Sequence, residues 1–360
     1  MSRVFNFNPG PATLPVPVLQ RMRSELLDYG GSGMSIMEMS HRGQVFMEVA
    51  AQAETRLRNL LSISDDYAVL FLHGGAQMMF SAVPMNFHGL GQRAGYVVTG
   101  SWSDKAVKAA KTVIAGAETI ADSTPKFDYA PAQEDWRDWQ DMAYIHYTPN
   151  ETIGGVEFHW VPQTGEVPLV ADMSSNILSA PVAVDRFGLI YAGAQKNIGI
   201  AGLAIVIVRK DLMGHAHSMT PGVLEFAGQA KAESMLNTPP TFAWYTANLV
   251  FGWLQESGGV QEMAQRNQRK AETLYTTIDG SSFYSNPVRE QDRSRMNIPF
   301  TLPDDALNAP FLAAAQAQGL AGLKGHRAVG GMRASIYNAM PQEGVDALVQ
   351  FMAEFERTHG

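Results

Sequence analysis

Between Tyr67 and Val208, short and nearly continuous apolar runs alternate with longer stretches whose apolar residues return every three to four positions. The runs Val69-Leu70-Phe71-Leu72, Gly95-Tyr96-Val97-Val98 and Met142-Ala143-Tyr144-Ile145-His146, with those at 166–171, 188–192 and 202–208, predict strands; 76–87 and 103–115 predict helices. Strands that are apolar at consecutive positions are buried on both faces. The pattern therefore predicts an α/β fold whose mostly parallel sheet is covered by helices on both sides. Ligands of such sheets collect at the carboxyl ends of the strands, which draws attention to the residues just after each apolar run.

The ends of the chain read differently. Residues 1–15, closing with Asn8-Pro9-Gly10-Pro11-Ala12-Thr13-Leu14-Pro15, are too rich in proline and glycine for regular structure. They predict an extended arm packed on a smaller domain and leading into a helix at 16–28. After Thr238-Pro239-Pro240 a helix is predicted to run to about Glu256, with proline near its start and Gly258-Gly259 past its end. This is the clearest domain boundary, giving a large domain at 16–257 and a small α+β domain at 258–360. The small domain is predicted to hold helices at 260–278, 305–318 and 342–356 and strands at 281–285, 295–300 and 331–336. Two cores suit 360 residues, because single cores stop growing below that length.

Composition narrows the function. The net charge of -8 argues against nucleic acid or anionic membrane as a partner, since neither is bound without a dense basic surface. No apolar stretch reaches the roughly 20 residues of a membrane span, and the first residues lack the apolar core of a signal peptide. The expected location is the cytoplasm. The chain has no cysteine, which removes disulfides, thiolate metal sites and a cysteine nucleophile. Its nine histidines show no metal-binding spacing, so no metal site is expected.

Lys196, in Tyr191-Ala192-Gly193-Ala194-Gln195-Lys196-Asn197, falls in a turn between two predicted core strands. A lysine held there can lose hydration, which lowers its pKa and frees the lone pair needed for a Schiff base. On local sequence alone, a surface-turn lysine is equally open. Three further strand-end features share its predicted rim. His73-Gly74-Gly75-Ala76-Gln77 can present backbone amides at a helix start to an anion; Asp172 follows the run at 166–171; Trp102 follows the run at 95–98 and offers a flat indole face. Singly these read as a steric turn, a helix cap and a packing residue. Together they are the parts that pyridoxal phosphate requires, namely an amine, a partner for the ring nitrogen, a stacking surface and a phosphate cradle.

A second set is cationic. His41-Arg42, and His326-Arg327 with Arg333, lie in glycine-bearing loops of an acidic chain, and arginine forks bind carboxylate and phosphate in a bidentate manner. They suggest a small substrate with more than one anionic group. Arg293 and Arg295 are more simply solvated or structural. Ser123-Thr124-Pro125-Lys126 has the S-x-x-K spacing of some serine hydrolases, but its proline spoils the helix that spacing needs.

Beyond these residues the chain resembles the phosphoserine aminotransferases, fold-type-I pyridoxal phosphate enzymes of class V. The resemblance runs nearly end to end, through Gly10-Pro11-Ala12, Ser40-His41-Arg42-Gly43, His73-Gly74-Gly75, Pro149-Asn150-Glu151-Thr152, Ala171-Asp172, Gly193-Ala194-Gln195-Lys196-Asn197, Asn237-Thr238-Pro239-Pro240 and Lys324-Gly325-His326-Arg327 with Arg333. It implies a seven-stranded-type sheet and a homodimer with shared active sites. By the same carry-over Lys196 attaches the cofactor, Asp172 pairs with its ring nitrogen, Trp102 stacks on the ring and Thr152 meets its phenolic oxygen. Ala76, Gln77 and Gln195 hold the phosphate, with Asn237 and Thr238 reaching across from the second subunit. Arg333 takes the substrate α-carboxylate. His41 and Arg42, with His326 and Arg327 of the neighbouring chain, take the phosphate of phosphoserine or the side-chain carboxylate of glutamate.

The implied activity is transamination between glutamate and 3-phosphohydroxypyruvate in serine biosynthesis, with 4-phosphohydroxythreonine of pyridoxine biosynthesis as a further substrate. An alanine–glyoxylate or serine aminotransferase is the alternative, and a catalytically silent cofactor-binding protein is another class; a cysteine desulfurase is excluded by the absent thiol. Two positions depart from some relatives. Gln77 stands where certain members carry arginine, and Pro9 where some carry serine.

Overall fold

The computed structural model describes residues 3–360; Met1 and Ser2, the first residues of the predicted arm, lie outside the described residues. The arm forms β1 (Phe5–Asn6), and α1 (Val16–Glu25) and α2 (Gln44–Leu61) follow. Then come β2 (Tyr67–Gly74), α3 (Ala76–Phe87), β3 (Arg93–Val98), α4 (Ser101–Ala110), β4 (Gly116–Asp122), β5 (Ile145–Tyr147), β6 (Leu169–Asp172), β7 (Leu189–Gly193) and β8 (Gly202–Arg209). The chain continues through α5 (Phe226–Lys231), α6 (Thr241–Glu256) and α7 (Gly259–Asp279) to β9 (Asn297–Phe300), α8 (Asn308–Ala317), β10 (Leu320–Ala321), β11 (Met332–Ser335) and α9 (Gln342–His359).

The large sheet has seven strands in the order β2-β8-β7-β6-β5-β3-β4. Strands β7, β6, β5, β3 and β4 are parallel, while β8 runs antiparallel to both β7 and β2. The parallel set sends its carboxyl ends to one rim, as the apolar runs predicted. Successive side chains go to opposite faces. Val69, Phe71, Ile190, Ala192, Ile205 and Ile207 join one core with α2 and α6, while Leu70, Leu72, Leu189, Tyr191, Val206 and Val208 join the other with α3, α4 and α5. Both faces are therefore buried, which explains why these strands carry no polar alternation.

A third core gathers Leu274 and Ile278 of α7, Ile298 and Phe300 of β9, Ala334 of β11, Phe311 of α8 and Phe351, Met352 and Phe355 of α9. Phe7 of the arm is fully buried in it, and β1 pairs in parallel with β10 (Phe5 with Leu320, Asn6 with Ala321). The arm then crosses to the large sheet, where the Ala12 N–H donates to the Gln195 carbonyl at 2.9 Å.

Several boundaries differ from the sequence reading. Helix α1 stops at Glu25 rather than at 28, and α4 spans Ser101–Ala110 rather than 103–115, because Gly116 already opens strand β4. No strand forms at 281–285: Ser281 Oγ accepts the Phe283 and Tyr284 N–H groups and curls the segment, leaving one bridge between Ser285 and Thr301. Residues 305–307 form a separate short turn before α8. Helix α2 and strand β4 were not anticipated. Helix α2 follows Gly43, which offers no side-chain cap, and β4 is an edge strand with Glu118 exposed and Thr119 half-buried.

Candidate active site

The connection from β7 to β8 carries Lys196 over the rim of the sheet. Its backbone is pinned at both ends, Ala194 N–H donating to the Leu203 carbonyl and Gly199 N–H to the Ala194 carbonyl. The lysine is buried, and its Nζ donates to Thr152 Oγ1 at 2.6 Å. Of the two readings open on sequence, the surface-turn lysine is thereby excluded. Burial pushes its pKa down to about 8, helped by the Arg333 charge and opposed by Asp172 and Glu151.

Asp172, at the end of β6, is also buried. Its Oδ1 accepts from the Ser174 N–H at 3.0 Å and from Ser174 Oγ at 2.6 Å. Burial raises the carboxyl pKa, while the Ser174 bonds and the Lys196 charge oppose that rise. Ser174 does double duty, since its Oγ also accepts the Gly193 N–H at 2.9 Å. One hydroxyl therefore fixes the aspartate relative to the lysine strand.

A cavity of about 310 Å³ opens over these groups, lined by Ala76, Gln77, Trp102, Thr152, Asp172, Gln195, Lys196, His326 and Arg333, together with Pro9, Gly10, Lys105, Thr148 and Asn150. Nine of the fourteen sequence-nominated residues thus meet in one chain. A larger cavity beneath the arm, of about 1040 Å³, lies beside Lys270 and contains none of them.

The remaining five do not line it. His41 and Arg42 precede α2, which packs on the α6 side of the sheet. Asn237 and Thr238 are exposed, Asn237 Nδ2 lying 3.3 Å from His73 Nδ1. Arg327 is exposed beside His326. The resemblance drew His326 from the neighbouring chain and His41 and Arg42 from the chain's own; in the folded chain His326 lines the chain's own cavity, while His41 and Arg42 do not. The reason is local: the loop bearing His326 hangs from β11, whose Arg333 faces the same cavity, and Lys324 bridges to Met332 at its base.

Sequence reasoning gave Glu151 no role, yet it organises one wall. Its buried carboxylate accepts from the Trp102 N–H (3.2 Å), the Ser103 N–H (2.8 Å) and Ser103 Oγ (2.7 Å), capping α4 from a loop 48 residues away. Nothing local in the sequence announces that pairing. Glu151→Ala would orphan these buried donors, at a cost of about 3 kcal/mol. We expect a lower thermal unfolding midpoint and altered Trp102 fluorescence, with Glu151→Gln losing less of both.

The cavity fits pyridoxal phosphate on its own geometry. Helix α3 begins at its edge with no side-chain cap, so the first N–H groups, those of Ala76 and Gln77, are available to an anion. A Cβ on Gly193 would come within 3.2 Å of Ala76 N and 2.9 Å of Gln195 Oε1, so the three converge around one cradle. Among the described residues, Trp102 Nε1, Thr148 Oγ1 and Arg333 Nε are buried without a protein partner, and buried polar groups are rarely left so.

Residues 4–348 match the family described as aminotransferase class-V. The chain belongs to the class-V aminotransferase family. Among class-V aminotransferases it is similar to the phosphoserine aminotransferase of Azotobacter vinelandii, at 55% identity over 360 residues and 99% of each chain. It is also similar to the solved phosphoserine aminotransferase from Bacillus circulans subsp. alkalophilus, at 47% identity, TM-score 0.97 and 99% of each chain. A PLP-bound phosphoserine aminotransferase from Trichomonas vaginalis aligns with TM-score 0.94 and 42% identity over 98% of this chain and 100% of that one. As a class-V aminotransferase it has the fold-type-I architecture expected from the sequence, with β8 as the antiparallel member of a mostly parallel sheet. Among the described residues, no helix is long and apolar enough to cross a membrane.

Proposed function

We propose that this protein is a pyridoxal phosphate-dependent phosphoserine aminotransferase, which moves the amino group of glutamate to 3-phosphohydroxypyruvate and releases 2-oxoglutarate and phosphoserine. The observation that carries the proposal is a buried lysine of lowered pKa beside a buried aspartate, in a cavity that also holds a buried arginine with no carboxylate partner among the described residues. The high identity to phosphoserine aminotransferases supports the substrate. The pyridoxine-pathway substrate 4-phosphohydroxythreonine carries the same phosphate and α-carboxylate, and belongs to the same proposal.

Lys196 would bind the cofactor covalently, with Asp172 at its ring nitrogen, Trp102 against its ring, Thr152 near its phenolic oxygen and Ala76, Gln77 and Gln195 around its phosphate. When bound, the cofactor supplies an electron sink for the substrate α-carbon. Asp172, a carboxylate supported by two Ser174 bonds, would hold a proton on the ring nitrogen. Arg333 Nη1 donates to the Thr152 carbonyl at 3.3 Å and its Nε is unpartnered, so the guanidinium can orient the substrate carboxylate. Lys196 Nζ, as a free amine, accepts the α-proton of the donor and returns one to the oxo acid, in the manner of a general base tuned near the working pH.

The site is completed by a second copy of this chain. His41, Arg42, Asn237 and Thr238 lie outside the chain's own cavity, and large apolar side chains are exposed near both pairs: Met34, Met37 and Val45 beside the first, Met219, Val223 and Leu236 beside the second. Burial of these patches against a second copy would draw both pairs into the interface between the two chains.

A steady-state assay with glutamate and 3-phosphohydroxypyruvate tests the reaction, and absence of exchange overturns it. The amine offers an independent test. Because only neutral Lys196 attacks an aldehyde, cofactor uptake by the cofactor-free protein should rise about tenfold per pH unit up to about 8 and level off above it. Absorbance after rapid mixing at pH 6 to 10 reads this directly. Uptake that climbs steadily to pH 10 would mark an ordinary surface lysine instead.

A further inference from the structure

Lys105 is the cavity-lining cation that neither the sequence reading nor the proposed mechanism uses. It lies one helical turn after Trp102 on α4, is exposed, and its Nζ sits 4.4 Å from the centroid of the Trp102 ring. No carboxylate neutralises it: the neighbouring Asp104 is taken by Lys108 at 2.6 Å, and Lys105 enters no ion pair among the described residues. It lines the same cavity as His326. Burial, then the charges of Arg333, Arg327 and Lys105, press His326 below the ordinary imidazole value.

The cations of the cavity divide by depth. Lys196 is committed to the cofactor, and Arg333, buried beside Thr152, to the α-carboxylate. Lys105 and His326 remain at the mouth, where the far end of a substrate must lie. His326 is the weaker of the two because it is pressed toward its neutral form, and Gln77 brings no charge. A phosphate end carries about two negative charges and three acceptor oxygens, whereas a side-chain carboxylate carries one charge and two oxygens. The same pocket must accept both, so a group that favours the phosphate has to answer that extra charge and oxygen.

We propose that Lys105 is a specificity-determining residue that reads the phosphate end of the substrate, discriminating phosphorylated from dicarboxylic amino acids. This rests on the phosphoserine reading above. The indole holds the ammonium at the cavity wall, where a compact cation with three donors suits a tetrahedral anion. Carboxylate binding is served by the other cations and depends on Lys105 little.

The test compares phosphoserine and glutamate as donors to the same cofactor-loaded enzyme, each followed in a single turnover, so that any defect in cofactor loading cancels in the ratio. Lys105→Met keeps the helix and the apolar stem. It should lower kcat/KM for phosphoserine about 10- to 100-fold, the loss of one charge-assisted contact, while glutamate changes less than about threefold. Binding of two unreactive ligands, 3-phosphoglycerate and glutarate, measured by calorimetry should show the same split, and Lys105→Arg should recover most of it. Equal losses for both ligands, or none, would overturn the assignment. If the unaltered enzyme fails to turn over phosphoserine at all, it is the phosphoserine reading that fails.

Discussion

Lys196→Ala is expected to bring multiple turnover to a halt, with kcat falling about 10⁴-fold or more, at the upper end of what one positioned proton-transfer group contributes. The expectation follows from how little else the side chain does. Its one hydrogen bond among the described residues is to Thr152 Oγ1, and its backbone is held by Ala194 and Gly199 bonds that the substitution leaves alone. The fold should therefore persist while the visible absorbance of the attached cofactor is lost. Spectra and steady-state rates of the purified variant check both halves. Retention of the absorbance together with repeated turnover would reassign the lysine.

Asp172→Asn should be the next most damaging change, lowering the rate of the glutamate half-reaction about 10²- to 10³-fold, the equivalent of about 3–4 kcal/mol for stripping one partner from a buried charge pair. Asparagine matches the shape, and its carbonyl can still accept from Ser174. What disappears is the charge that holds a proton on the ring nitrogen. Stopped-flow single turnovers with glutamate measure the effect, and Ser174→Ala should show a smaller loss because it weakens the support and spares the carboxylate. A loss below tenfold in Asp172→Asn would remove the aspartate from the chemistry.

How much of this was legible in sequence depended on distance along the chain. Strand-end positions are local properties, so Lys196, Asp172, Trp102 and the glycine turn before Ala76 could be placed on one rim from apolar runs alone. Helix α3 was bounded correctly because Gly75 and the apolar spacing that follows mark it. Groups defined by partners far away were invisible: Glu151 matters because Ser103 of α4 lies 48 residues earlier, and β10 because the arm lies beside it. The cationic loops were recognised as a set, yet His326 was drawn from the neighbouring chain, since no local signal says that the loop before β11 folds over its own chain. Helix α2 was missed despite Phe46, Val49, Ala53 and Leu57 at helical spacing, because Gly43 has no side chain to cap the first turn and so gives a weaker start signal than Ser, Asp or Asn.

The arm has one more implication, for anyone handling the protein. It is stitched into the small sheet at Phe5 and Asn6, buried at Phe7, tied at the Pro9 carbonyl to the Tyr337 hydroxyl (2.8 Å), and laid at Gly10, with φ of +147°, against the Lys196 stem. The leading residues are thus part of the catalytic chassis and a poor handle. An affinity tag or fusion carrier joined there pulls on the lysine and on the small sheet together. Gly360, by contrast, follows α9, and its N–H donates to the Glu356 carbonyl of that helix, so a label placed there touches neither.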